Sequence, residues 1–360
     1  MPDADARLVE CVPNFSEGRD PDVIGAIAEA IAAVPGSRLL HVDPGAGANR
    51  TVVTFAGEPE AALDAAFAGI RTAARHIDMR DHQGVHPRIG ATDVCPFVPL
   101  QGTTMADCAD LARRLGERVG RELGIPVYLY GEAASRPERR GLGRLRWGQY
   151  EGLRARLADP WWAPDFGPVD WDDGVARAGA TVIGARFFLV ALNVTLETID
   201  VGVARRIARR LRERGEVRRH PNGTVVRDAD GRPLRTSGRF RHLKAIGWLI
   251  PEYGRAQVSM NLTDFRETPM HAVVSAVREE AGREGVHVAG SELVGLVPLD
   301  AMRAAGRASG LPADASDREL VAAAAGALAL DRYDPAHRRP FDPDERVLEW
   351  RLAAVPPTGT

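Results

Sequence analysis

The feature that most constrains this chain is that part of it is written twice. Thr92–Leu100 reads TDVCPFVPL and Ser291–Leu299 reads SELVGLVPL, sharing VPL and matching Thr with Ser, Asp with Glu and Val with Leu. Upstream, VPNFS at Val12–Ser16 has a counterpart in ALNVT at Ala191–Thr195, aligned on Asn14 and Asn193. Repetition over such a distance points to two copies of one supersecondary unit. Between the first matched pair and the second, the later copy gains about twenty residues. The polar stretch Gly215–Gly238, with Asn-Gly and Asp-Gly turn signals, accounts for them as an exposed hairpin.

Hydrophobic period gives the unit its plan. The first half reads as strand Leu8–Pro13, helix PDVIGAIAEAIAAV, strands Leu39–Val42 and Thr51–Phe55, helix EPEAALDAAFAGIRTAARH and strand Thr92–Val98. Asp20 is placed to cap the first helix and Pro21 to open it, with Val23, Ile24, Ile27, Ile31 and Val34 on one stripe. Leu63, Phe67, Ile70 and Ala74 do the same in the second. The second half follows as strand Phe187–Asn193, helix Ile199–Arg214, strands Leu243–Ile250 and Ala256–Leu262, helix Pro269–Glu284 capped by Thr268, and strand Leu293–Val297. Each half is βαββαβ, the split-βαβ plan of a ferredoxin-like domain. The expected fold class is α+β, an internal duplication of two such subdomains with a cleft between them where a ligand binds. The expected divisions are residues 1–178, residues 179–305 with the insertion at 215–238, and a tail at 306–360.

An apolar content of 44% in 360 residues is enough for sizeable cores. A formal charge of -2 gives no global attraction to nucleic acid or an anionic membrane, so neither is expected as a partner and a small molecule is. Cys11, Cys95 and Cys108 show neither CxxC spacing nor an even count, which favours a reducing compartment and buried, inert thiols. No apolar run approaches the ~18 residues of a membrane span, and the opening MPDADARLVE lacks the basic and apolar regions of a secretion signal. A cytoplasmic protein is expected.

Chemistry concentrates in IDMRDHQGVHPRIGATDVCPFVPL, Ile77–Leu100. His82 and His86 have the spacing of metal ligands on one helix face, but Gly84 weakens such a helix and Pro87 biases His86 away from it. The pair is expected on a loop feeding the next strand. No third ligand has a recognisable spacing, so no metal is expected. The glycine-rich VDPGAGANR, Val42–Arg50, is followed by the strand-like TVVTF rather than a helix, which argues against a phosphate loop and leaves a β-connection or a binding loop. Within it Asp43 and Arg50 stand at strand ends. Asp165-Phe166-Gly167 lacks the companion motifs of a kinase. The arginine-dense Ser135–Arg156 reads as a solvated helix face or an anion-attracting rim.

Taken together, LVECVPNFSEGRD, NRTVVTFAG, HQGVHPRIGATDVCPF, PVYLYGEA, WAPDFGP, GATVIGAR, AQVSMNLTDF and SELVGLVPL resemble the glutamate formimidoyltransferase family, in order, from Leu8 to Leu299. LPADASDREL and FDPDERVLEW fit the tail that members of the family often carry. The resemblance implies a homodimer and passage of the formimino group of N-formimino-L-glutamate to N5 of tetrahydrofolate, the cosubstrate. It implies that the histidine of HPR, His86, is catalytic, that Asp43 is the acidic partner, and that the folate segment falls on Gly167–Gly179. His41 stands where the family often has a second acidic residue, the folate segment is a few residues long, and the Gly215–Gly238 insertion exceeds the usual connection.

The chemistry suits this assignment. N5 becomes cationic as it attacks the amidine carbon and must lose a proton, while the leaving glutamate nitrogen must gain one; an imidazole poised near neutral pH serves both. Asp43 either holds the amidinium or orients the imidazole. Arg50, Arg88 and Arg186 are expected to fork onto the substrate carboxylates, with His82 among the substrate-binding residues as a shaper of the loop. The pteridine is expected against Phe166, Gly167, Pro168, Trp171 and Gly179, with Phe166 and Trp171 for stacking. The alternatives are a folate-dependent transferase using N-formylglutamate and a folate-binding protein without activity.

Overall fold

The computed structural model describes residues 7–251, 254–332 and 341–359. Residues 1–6 of the polar opening and 333–340 of the expected tail lie outside these. The chain is a mixed α+β protein of two compact units, one running to Phe188 and resuming at Glu349, the other Leu189–Leu348.

In the first unit, β1 (Val9–Cys11) and β2 (Asn14–Phe15) make one interrupted strand, followed by α1 (Pro21–Ala32), β3 (Arg38–Gly45), β4 (Arg50–Gly57), α2 (Pro59–His76) and β5 (Thr92–Pro99). The β1/β2 line lies between β4 and β5, antiparallel to both, and β3 lies outside β4. Asp20 caps α1 by accepting from the Asp22 and Val23 amides. The alternating residues Cys11, Phe15, Phe55 and Phe97 bury against α1 and α2 and against a third helix, α3 (Met105–Leu123). Thr104 and Asp107 form its capping box, and Gly124, in the left-handed region, ends it.

Beyond α3 come β6 (Val127–Gly131), the short helices α4 (Leu142–Leu145), α5 (Leu153–Leu157) and α6 (Asp173–Ala178), and β7 (Thr181–Ala185). β7 pairs in parallel with β5 and β6 with β7, widening the sheet. This pairing moves the first division from the expected 178/179 to 188/189, because β7 belongs to the first sheet. The expected solvated arginine run is corrected in part. Arg139 and Arg156 are buried, Arg139 at 1% exposure, while Arg136, Arg140, Arg144 and Arg154 are exposed. Arg156 lies over the rings of Tyr128 and Trp162 and donates to the carbonyls of Leu145 and Trp147.

In the second unit, β8 (Val190–Leu196), α7 (Val201–Leu211), the hairpin β9 (Glu216–Val217) and β10 (Arg235–Thr236), β11 (Leu243–Ile250), β12 (Arg255–Leu262), α8 (Met270–Arg283) and β13 (Val288–Val294) follow in turn. The four-stranded sheet has the order β11-β12-β8-β13, all antiparallel. Its core strand alternates: Val190, Leu192, Val194 and Leu196 are fully buried. The insertion is hairpin-like as expected. Two local expectations change. Thr268 does not cap α8, whose cap position is Pro269; its hydroxyl instead donates to the Arg241 carbonyl at 2.5 Å. The last strand begins earlier and ends at Val294, before the positive φ of Gly295. After α9 (Leu299–Arg307), α10 (Asp317–Ala327) and α11 (Pro343–Arg346), the final helix α12 (Leu348–Ala354) carries the chain back to the first unit. There Arg351 donates to the Leu40 carbonyl at 2.9 Å, and Thr358 exchanges backbone bonds with Gly36 and Ser37.

Candidate active site

The site begins with strand register. Asp43 pairs with Val52, Val52 with Asn14, and Asn14 with Val94, a row across β3, β4, β2 and β5. Residues in one row share a face, so Asp43 and Asn14 stand two strands, about 10 Å, apart on the side away from α1 and α2. Arg50, two residues before Val52, faces the same way. Its Nε and Nη2 donate to Asn14 Oδ1 at 3.0 and 2.7 Å, and its Nη1 donates to Asp93 Oδ2 at 2.6 Å.

Asp93 reaches this face through an irregularity. Asn14 pairs with Val94 and Phe15 with Thr92, so Asp93 is the extra residue of a β-bulge. Bulges re-aim side chains beside active sites, and this one turns a fully buried carboxylate toward two guanidinium groups. Arg146 donates to both its oxygens, and the Ile89 amide donates to Oδ1 at 3.1 Å. Burial alone would raise the Asp93 pKa, but Arg146 and Arg50 outweigh it and hold it down to about 2. Burial also lowers Arg50, to about 10, against the pull of Asp93.

His86 sits over this network, with Nδ1 2.8 Å from the Pro87 carbonyl and 3.2 Å from Arg50 Nη1. A carbonyl only accepts, so Nδ1 carries the proton and donates to Pro87, which leaves Nε2 as the basic nitrogen. The Arg50 contact is then a charge facing the ring. The ring keeps part of its surface open, yet burial, Arg50 and Arg146 hold its pKa well below the usual histidine range. The sequence-based expectation of a near-neutral imidazole is corrected on this ground: burial first, and then Arg50 and Arg146, disfavour the imidazolium more than Asp93 favours it.

The loop carrying His86 is held by its neighbours. His82 Nε2 donates to the Asn49 carbonyl at 2.9 Å, and its Nδ1 accepts from Arg88 Nε at 3.1 Å, so both ring nitrogens serve the loop. Asn49, at φ 48, donates through its side chain to the Gln83 carbonyl and accepts from the Gly18 amide, tying the β3–β4 turn to the histidine loop. A Cβ on Gly84 would collide with the Ala48 carbonyl, which is why glycine stands between the histidines. The glycine-rich stretch before Arg50 is therefore a β-hairpin turn, with Gly45 paired to Arg50. Arg88 is 5% exposed and forks onto Glu151 at 2.7 and 2.9 Å while also donating to the His82 carbonyl. Arg186 donates to the Phe187 carbonyl at 3.0 Å and lies near Glu10 and Tyr130.

The residues expected to meet folate have different surroundings. The Phe166 ring packs on α3, where a Cβ on Gly116 would lie 3.0 Å from it, and its backbone bridges Val127. Gly167 has φ 85 and is exposed; Pro168 is half-buried. Trp171 packs beside Tyr150, ring centroids 6.0 Å apart. Gly179, at φ 70, bridges Gly90, and any Cβ there would strike the Ile89 carbonyl, so this glycine closes the segment against the strand following His86. Sequence reasoning missed Asn14, Asp93, Arg146 and Glu151. The repeat carried the available signals: the Asp/Glu match at Asp93 and Glu292 and the Asn match at Asn14 and Asn193. Among the described residues no group of three or more His, Cys, Asp or Glu side chains is placed to hold a metal ion, and no helix is long and apolar enough to cross a membrane.

Comparison with known proteins gives a family. A family model for the formiminotransferase domain, N-terminal subdomain, matches residues 8–186, and one for the formiminotransferase domain matches 191–353. The formimidoyltransferase-cyclodeaminase of Rattus norvegicus is 43% identical over 98% of this chain, which spans 61% of that protein's length. Proteins named glutamate formimidoyltransferase from Thermoplasma acidophilum and Streptococcus pyogenes serotype M1 are 46% and 39% identical over 82% of the chain, covering 89% and 91% of their own lengths.

Proposed function

The chain belongs to the formiminotransferase family, and from that premise we propose that it is a glutamate formimidoyltransferase, moving the formimino group of N-formimino-L-glutamate to N5 of tetrahydrofolate. The observation that carries this reading is His86 set over the Asn14–Arg50–Asp93–Arg146 network with its basic Nε2 defined by the Pro87 bond.

In this reading N5 attacks the formimino carbon, and the C–N bond to glutamate breaks after a tetrahedral intermediate. His86 Nε2 takes the proton from N5 and delivers it to the departing glutamate nitrogen, so that 5-formimidoyltetrahydrofolate and glutamate leave with the proton count unchanged. A depressed pKa keeps the ring neutral at pH 7, ready as a base, and makes the transient imidazolium a strong acid for the second step. Asp43 pairs with the cationic amidinium, a role a neutral formyl donor would not need. Arg186 meets one substrate carboxylate and Arg50 offers the N–H groups not given to Asn14 and Asp93, while Arg88 and His82 act through the loop, where Arg88 forks onto Glu151. Folate lies along Gly167–Gly179 with Gly167, Pro168 and Gly179 supplying backbone, and Phe166 and Trp171 supporting that segment from inside.

We also read the shared strand order of the two sheets as a duplicated ferredoxin-like unit, and the protein as a cytoplasmic homodimer that uses no metal. The deciding assay supplies purified protein with tetrahydrofolate and, side by side, formiminoglutamate or formylglutamate. Turnover with the formimino donor is expected, surviving exhaustive chelation; preference for the formyl donor, or none for either, would overturn the assignment.

A further inference from the structure

The turn 146–151, between α4 and α5 in the arginine-dense stretch, is pinned to the site at both ends. The left-handed φ of Gly148 and Gln149 closes it. At one end Arg146 reaches Asp93; at the other the Tyr150 amide donates to the Arg88 carbonyl at 2.9 Å, and the Glu151 carboxylate takes the Arg88 fork at 2.7 and 2.9 Å. Arg146 bears directly on the network under His86. Glu151 bears on it through Arg88.

A glutamate at the surface paired with an arginine is ordinarily worth little. This pair is lopsided, with the Glu151 side chain 64% exposed and that of Arg88 only 7%. The buried guanidinium divides its N–H groups between two residues: Nη1 and Nη2 serve Glu151, while Nε donates to His82 Nδ1 and Nη2 to the His82 carbonyl, both at 3.1 Å. It is held between a carboxylate on one side and the histidine loop on the other. Because the fork is planar and bidentate, the carboxylate sets its direction as well as its charge. Arg88 in turn keeps the Glu151 carboxyl below its usual pKa range, and so ionised. The link onward to His86 is covalent. The Pro87 carbonyl that accepts from His86 Nδ1 lies in the same planar peptide unit as the Arg88 nitrogen, so what fixes Arg88 also fixes that acceptor.

We propose that Glu151 is a positioning residue for formimino transfer: through Arg88 it holds the Pro87 carbonyl against His86 Nδ1, which keeps the proton off Nε2 and that nitrogen aimed at the substrates. The inference rests on the reading of His86 as the proton carrier. A neutral imidazole without that acceptor divides its proton between the two ring nitrogens, and only the form with a bare Nε2 accepts from N5 of tetrahydrofolate. Glu151 therefore acts on turnover rather than on binding.

The test compares Glu151→Gln, Glu151→Asp, His86→Ala and the double variant Glu151→Gln/His86→Ala. Glu151→Gln keeps the size and loses the charge, and it is expected to lower kcat roughly tenfold or more with KM for both substrates within about twofold. In the His86→Ala background the same substitution should cost less than about twofold, because its route to the chemistry is gone. Nitrogen NMR of ring-labelled histidine, with the His86 signals assigned by their loss in His86→Ala, should show the proton on Nδ1 in the wild type and shared between both nitrogens in Glu151→Gln. Glu151→Asp keeps a charge near Arg88 but is one methylene too short for the fork. It should lose kcat likewise with its melting temperature unchanged, and it decides alone if Glu151→Gln fails to fold. Wild-type kcat in the Glu151 variants, equal losses with and without His86, or an unchanged His86 tautomer would each overturn the proposal and leave the transferase reading intact. Undiminished turnover in His86→Ala would overturn the proton-carrier reading as well.

Discussion

His86 and His82 stand four apart on one loop and do different work. His82 has both nitrogens engaged within the loop, whereas Nδ1 of His86 donates to the Pro87 carbonyl and aims the ring over the Arg50–Asp93 network. His86→Ala is expected to lower turnover by roughly 10²–10⁴-fold with little change in folate affinity, and His82→Ala by less; steady-state kinetics with a folate titration checks both. The acid limb of kcat/KM is expected well below the usual histidine range and absent in His86→Ala, because burial and two guanidinium groups disfavour the imidazolium. Asp93→Asn leaves Arg50 and Arg146 facing each other without their counter-charge, a loss of about 3–5 kcal/mol that denaturant melts will measure. Glu10 responds to pH in the opposite sense. Burial lifts its pKa to about 8, so its contribution to stability is complete below about pH 4.5 and declines as pH rises toward 8. Glu10→Gln should therefore gain in melting temperature over the wild type by roughly 5 °C between pH 5 and pH 9; a constant difference across that range would place the ionised carboxylate in the fold.

At the scale of elements, the decisive feature is how closely the β3–β4 turn approaches the histidine loop. Gly84→Ala must push that loop off the Ala48 carbonyl, and it should reduce kcat by at least tenfold while the melting temperature falls by only a few degrees. The insertion behaves differently. Its strands bond mainly to one another, with Arg219 and Arg227 each donating to the carbonyl of its own turn at Gly223 and Gly231. Replacing residues 216–237 by a short Gly-Ser turn should leave fold and solubility unchanged, since loop length is thermodynamically lenient. A collapse of either would mean that the insertion packs against something outside itself.

For the whole molecule, the return of the chain to its first unit matters most. Gly36 and Ser37, just before β3, bond to Thr358, and Arg38 at its start donates to the Leu352 carbonyl, so the last residues act as an edge brace for a sheet formed by the first. Truncation after Leu348 should lower the melting temperature of the first unit by several degrees without altering the second, as hydrogen exchange resolved by segment would show. Acid acts on the whole first unit through Asp93. Its pKa is depressed, so its stabilisation is present above about pH 4 and is lost as pH falls toward 2.

Sequence by itself determined the alternation of strands and helices, because a period of two or 3.6 is a property of neighbouring residues. α1, α2, β5 and β11 lie close to where apolar spacing put them. It also determined the family, and it singled out His86 as the candidate proton carrier, because the HPR motif is contiguous. What only the tertiary structure decided were relations between distant residues. Arg146 looked like one more charge in a solvated run until folding brought it against Asp93, 53 positions away. Phe166 looked available for stacking until α3 took its ring, and Arg88 until Glu151 did. The bulge at Asp93 and the row shared by Asp43 and Asn14 are facts of register, and register is set by the partner strand, which no local stretch of sequence contains.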